Sequence, residues 1–414
     1  MPIALDWLLL LTSGTVLVLS LLSGLIVNRL WISEVTLCLL FGAALAASST
    51  YWMHGILSAS GQLSNLELVA RLTLGVAVMG VALRLPFEFF RTRWRDLAVV
   101  LGLALPLMWL TSALIAYVCL GLAILPALLV GATVAPTDPV VAQSIVSGKI
   151  AEHNVPGRVR RLIAGESAAN DALGIMIVML PLLLMQHEPK AALADWLVDV
   201  LVRDVAMSII VGAVLGGFTG VLFVRAKTRD YSEDRSMLVT GVALAFTSIA
   251  TLQLLGGDGI VGSFVAGLVF NRRISGLETR QHHLSAALSR FFDLPVFILI
   301  GLYLPWREWM KLGWSGLIFA AAILVFRRLP WILLLGGFTR SLRHHEERIF
   351  TGWFGPIGVA AAFYALQAEA EGGMEWLWPI TSLAIFASVL VHGTTATPLA
   401  RRLGSRLARH RDGE

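Results

Sequence analysis

Two short stretches carry ionisable side chains in surroundings that should exclude them: Ala135-Pro136-Thr137-Asp138-Pro139-Val140 and Gly165-Glu166-Ser167-Ala168-Ala169-Asn170-Asp171. Each lies in a segment otherwise apolar enough to cross a bilayer. An ionised group at that depth costs at least ~2.5–3.5 kcal/mol and normally faces a bundle interior or a wet cavity. On a helix, Ser167 and Asp171 are four apart and share a face, as do Glu166 and Asn170. Asp138, Asp171, the Ser167 hydroxyl and a carbonyl freed near Thr137 would form an all-oxygen set for a hard monovalent cation. No thiolate joins them, and the nearest histidine, His153, falls in a loop, which argues against a transition-metal centre. A carboxylate under hydrocarbon is neutralised by a proton or by a cation, and the two compete. If both neutral forms can pass between two aqueous faces and the bare anion cannot, the outcome is exchange. Taken singly, each acid could instead be a hydrogen-bonding structural carboxyl.

The elements that must hold these groups are membrane helices. The 414 residues are 57% hydrophobic and 14% charged, against about 25% charged in soluble domains. Apolar runs long enough to span ~30 Å of hydrocarbon recur from end to end. The expected fold is an all-α polytopic membrane protein, a single transmembrane unit over 1–414. About 13 spans are expected, near 6–28, 32–48, 63–84, 96–120, 122–147, 159–186, 205–224, 236–255, 258–271, 287–305, 314–338, 347–369 and 376–399. Met1 to Asp6 lacks Lys and Arg, so the first run should remain a membrane helix rather than a cleaved signal. Residues 400–414 form a short tail. Cys38 and Cys119 lie in apolar runs as small core residues, at no metal or disulfide spacing.

Charge sets the orientation. Of the 32 Lys and Arg residues, 25 fall in one set of alternate loops and the tail. Examples are Arg91, Arg93 and Arg95, then Arg235, Arg280 and Arg290. The opposite loops hold four, Lys190, Arg203, Arg307 and Lys311, and three lie inside spans, Arg71, Arg327 and Arg328. This bias places the N-terminus outside and the C-terminus in the cytoplasm. It also explains the net charge of +5 without nucleic acid. His153, His282, His283, His344 and His345 fall in loops on the cytoplasmic side. Trp52, Trp94, Trp306, Trp309, Trp376 and Trp378 suit interfacial anchoring.

Span five is interrupted by Pro136-Thr137-Asp138-Pro139, and span twelve by Phe354-Gly355-Pro356-Ile357-Gly358. Proline removes a backbone donor and clashes with the preceding turn. Irregular backbone survives at membrane depth only inside protein or along a wet cavity. The breaks are seven spans apart, so the two spans run in opposite directions. That suits inverted repeats, spans one to six and eight to thirteen, with two broken crossing helices at a transport site. Arg327 and Arg328 need an acidic partner if buried; Glu166 is the expected partner of Arg327, with Asn170 assisting. Asp293 is expected to cap the start of span ten. Asp258, among Gly256, Gly257 and Gly259, reads as a turn residue, and Glu34 as an interfacial one.

At Thr137-Asp138-Pro139, Gly165-Glu166-Ser167 with Asn170-Asp171, and Arg327, the chain resembles the sodium/proton exchanger branch of the cation:proton antiporter superfamily. Weaker echoes are Leu294-Pro295-Val296-Phe297, Asp258-Gly259 and His392-Gly393. The runs at Arg327-Arg328-Leu329-Pro330 and Phe354 to Gly358 are most similar to fungal plasma-membrane exchangers and their bacterial relatives. The resemblance implies a homodimer with a mobile core domain, around 96–186 and 314–399, moving like an elevator. It implies Asp171 as the ion-binding aspartate, Asp138, Ser167 and the Thr137 backbone as further ligands, and Glu166 as the acid paired with an arginine. Asn170-Asp171, in place of two aspartates, implies electroneutral exchange. The chain departs from many bacterial relatives at Arg328, where they have proline, and at Ile357, where they have arginine.

The expected function is therefore secondary antiport of Na⁺ or Li⁺, with K⁺ a further candidate, against H⁺ in the cytoplasmic (plasma) membrane. No cofactor is expected, and the partners are these ions, lipid and a second copy of the chain. The rivals are a K⁺/H⁺ exchanger on the same scaffold and a gated cation channel. A membrane enzyme or sensor would need a nucleophile–base pair or an output domain, and neither stands out.

Overall fold

The computed structural model describes residues 2–47, 62–229, 231, 236–274 and 282–412. Trp52, Arg235 and Arg280 lie outside them, as do the side chains of His282, His283 and Arg290. Helix α1 covers Pro2–Leu25, α2 Glu34–Ala47 and α3 Gln62–Arg84. The short α4, Phe87–Thr92, leads into α5, Trp94–Leu120. Next come α6, Ile124–Val134, and α7, Pro139–Val146, then the short α8, Lys149–Asn154. Helix α9 runs over Gly157–Gln186 and α10 over Pro189–Thr228. The second half holds α11, Ser236–Leu255, α12, Gly259–Ile274, and α13, His282–Leu302. It continues with α14, Trp306–Phe326, and α15, Leu329–Leu335. It ends with α16, His345–Trp353, α17, Val359–Gly372, and α18, Leu377–Asp412.

Among the described residues, six helical stretches are long and apolar enough to cross a membrane, or seven with the bent pair α6–α7. Several boundaries differ from the sequence reading. Helix α10 starts at Pro189, well before 205, because proline fits a first helical turn and an Asp199–Arg203 pair at 3.3 Å supports the polar segment. Helix α14 starts at Trp306 and kinks at Gly313, whose φ of 55 is left-handed. Asp293 does not cap a helix. α13 begins at His282, which leaves Asp293 buried in its interior, within electrostatic reach of Arg84. Asp258 does behave as a turn residue: its Oδ1 accepts from the Ile260 and Val261 amides at 2.9 and 2.7 Å, capping α12. Both cysteines are free, and Cys38 is buried.

Small residues decide the packing. Gly212 and Gly216 of α10 press on the backbone of α12 at Gly262 and Ala266, where a Cβ would collide. Gly42 and Gly301 do the same between α2 and α13. Helices in lipid gain little from burying apolar surface against each other, so such close approach supplies the contact. Helices α11, α12 and α13 pack with α3, and α10 packs with α11 and α12, while α5, α6, α9, α14, α17 and α18 pack around the two chain breaks. Helix α3 lies between, touching α12 and α13 on one side and α9 and α17 on the other.

Candidate functional site

The two breaks meet. Pro139 opens α7 and Asp138 caps it, its Oδ1 accepting from the Val140 and Val141 amides at 2.7 and 2.9 Å. Its Oδ2 accepts from the Val359 amide, the first of α17. The Asp138 amide donates to the Pro356 carbonyl at 2.8 Å. One carboxylate thus faces two helix N-termini, each carrying partial positive charge. Gly358 permits this, because a Cβ there would strike the Asp138 carboxylate.

The opposite ends are treated in the same way. Arg327 Nη1 donates to the carbonyls of Val134, Ala135 and Pro136 at 2.7, 2.8 and 3.2 Å, and Nη2 to that of Gly355. A single guanidinium therefore covers the C-terminal ends of α6 and α16. The Ile357 amide donates to Ser388 Oγ at 2.7 Å, and His392 Nε2 lies 2.9 Å from the Trp353 carbonyl oxygen.

The expected pairing of Glu166 with Arg327 is not found. Arg328 holds Glu166 instead, with Nη1 to Oε1 and Nη2 to Oε2, the latter at 2.9 Å. Its Nε donates to the Thr351 carbonyl at 3.0 Å. Arg327 is already occupied by carbonyls, and the chain breaks at this arginine pair, so the neighbours diverge. Asn170 does not assist an arginine either. Its Oδ1 accepts from the Thr137 amide at 3.2 Å and its Nδ2 donates to Thr137 Oγ1 at 2.8 Å. Thr137 Oγ1 also lies 3.0 Å from Ser167 Oγ.

Thr137, Ser167 and Asn170 are thus one hydrogen-bonded group beside Asp138. Asp171 is fully buried, yet neither carboxylate oxygen has a hydrogen-bond partner. Asp138 lies close enough for the two charges to interact. A buried polar atom left unpaired costs about 1–3 kcal/mol, and more if charged. Among the described residues no group of three or more His, Cys, Asp or Glu could hold a metal, so a cation at Asp171 would lean on hydroxyl and carbonyl oxygens too. Two participants were missed in the sequence. Tyr364 donates its hydroxyl to the Asp171 carbonyl at 2.6 Å, and Ser388 anchors the second break. Neither carries a motif; their roles arise from α17 and α18 being folded back on the breaks.

Residues 16–402 match the transmembrane sodium/hydrogen exchanger family. The chain belongs to that family. It is 28% identical over 411 residues to Na(+)/H(+) antiporter 2 of Zygosaccharomyces rouxii, covering 91% of this chain and 50% of that protein. It is 27% identical to a Na(+)/H(+) antiporter of Saccharomyces cerevisiae, covering 91% of this chain and 42% of that one. The chain therefore spans about half the length of these fungal relatives. Its fold is similar to that of the sodium proton antiporter MjNhaP1 from Methanocaldococcus jannaschii, with TM-score 0.75 at 17% identity over 98% of this chain and 99% of that one.

Proposed function

We propose that this exchanger-family chain moves a monovalent cation, Na⁺ or Li⁺, against H⁺ across the plasma membrane, with Asp171 carrying both in alternation. One observation carries the reading: around the crossing, Asp138, Glu166, Arg327 and Arg328 all have partners, and both oxygens of Asp171 have none. A buried anion with empty acceptors must take up a proton or a cation. Ser167, Thr137 and Asp138 are the neighbours that would complete a cation's oxygen shell. Thr137 and Ser167 can do so by turning their hydroxyls, whereas Asp138 would have to share oxygens already accepting from helix amides. Asn170 is neutral and committed to Thr137, and Glu166 is held by Arg328, which leaves Asp171 as the one carboxylate on α9 at the site without a partner. Exchange of one cation for one proton, with no net charge moved, follows from that.

The same reading takes the helices as thirteen spans with the N-terminus outside, the two broken pairs as corresponding members of inverted repeats, and the helices around the breaks as the mobile body of a homodimer. The test is reconstitution in liposomes with a pH dye under an imposed proton gradient. Added Na⁺ or Li⁺ should discharge the gradient through wild type and not through Asp171→Asn. Equal discharge by both proteins would rule out Asp171 as carrier. Response to K⁺ alone would move the reading to a K⁺/H⁺ exchanger, and discharge without saturation to a channel.

A further inference from the structure

Arg71 sits near the middle of α3. Its Nη2 pairs with Glu67 one turn away, and its Nε is buried without a partner. The guanidinium lies over the Phe363 ring, 5.6 Å from the centroid. Phe363 belongs to α17, so this cation–π contact joins α3 to the body that carries the breaks. The two residues also line a cavity of about 230 Å³ with Ile175, Asp204, Asp258 and Glu371. Ile175 is four residues from Asp171 on α9, on the same helix face. Phe363 precedes Tyr364, which binds the Asp171 carbonyl. The wall of the cavity is thus one helical turn from the carrier. Three carboxylates and the Arg71 guanidinium face it, and Arg203 stands at its edge beside Gly256 and Asp204.

We propose that Arg71 tunes the apparent cation affinity of the exchange: its positive charge, held between Glu67 and Phe363, sets the cation concentration at which Asp171 is filled from this cavity. The proposal rests on Asp171 being the exchange site. The physical cause is the field inside a narrow, low-dielectric cleft, where one charge changes the local concentration of a small ion several-fold. Arg71 opposes the three acids, so the apparent affinity for the cation is lower than they alone would give.

The experiment measures the Na⁺ dependence of proton-gradient discharge in proteoliposomes. Arg71→Gln should lower the KM for Na⁺ several-fold, the change one charge makes in a narrow low-dielectric cleft, with the maximal rate unchanged. Arg71→Lys should keep the wild-type KM. Glu371→Gln, at an exposed position, should raise it. Raising ionic strength with an impermeant organic cation should shrink all these differences. An unchanged or higher KM in Arg71→Gln, or the same shift in Arg71→Lys, overturns the proposal. If Arg71→Gln does not fold, Glu371→Gln decides, and an unchanged KM there overturns it. Wild type inert to Na⁺, Li⁺ and K⁺ would instead sink the exchange reading itself, and this proposal with it.

Discussion

Glu166 and Arg328 meet through two parallel contacts with side chains only 2% and 3% exposed. Removing one partner of such a pair strands a charge, at a cost of about 3–5 kcal/mol. Arg328→Ala should therefore lower the melting temperature in detergent sharply, and adding Glu166→Gln should recover part of the loss. Additive losses in the double variant would show that the two groups are not coupled. Asp171→Asn should behave in the opposite way. It removes a buried anion without partners, so the folded protein should be as stable as wild type or more so while exchange is lost. A marked fall in melting temperature would mean that the carboxylate is structural. The burial of these residues was legible in the sequence, because acids and arginines inside apolar runs are rare enough to stand out. Their pairing was not. Arg327 and Arg328 are neighbours in the chain but point apart at a break, and only the folded backbone shows that four carbonyls claim the first of them.

The broken pairs are held by short-range geometry. At Gly358 the α17 backbone approaches Asp138 so closely that a methyl group would displace the carboxylate from the amides it caps. Gly358→Ala should cost at least the ~1–3 kcal/mol of overpacking, plus part of a capping interaction of ~1 kcal/mol, read as a loss of thermal stability. A variant as stable as wild type would show that the crossing can open there at little cost. Both breaks were legible because proline leaves a sequence signature. The early start of α10 and the burial of Asp293 were not. Polar residues such as Asp195, Asp199 and Asp204 end a hydropathy run without ending a helix, and helix α13 continues through a segment rich in His and Ser.

For the whole molecule, apolar length marked about thirteen expected spans, of which six or seven among the described residues are long and apolar enough to cross a membrane, and glycines bring several helix pairs into close contact. The charge bias gives an orientation that labelling can check. With Cys38 and Cys119 replaced by serine, a membrane-impermeant maleimide should modify Lys190→Cys from outside intact cells and leave Lys149→Cys untouched. Labelling of Lys149→Cys alone would invert the protein. The arrangement of the bundle around α3 was beyond the sequence, since periodicity says which face is apolar and not which neighbour receives it. Asp138 stitches the starts of α7 and α17 together, and Arg327 stitches the ends of α6 and α16, so none of the four stubs can shift without dragging the others. An ion seated among them would be ferried rather than threaded. Its throughput would be counted in swings of a rigid block, and would slow far more steeply on cooling than flow through an open pore.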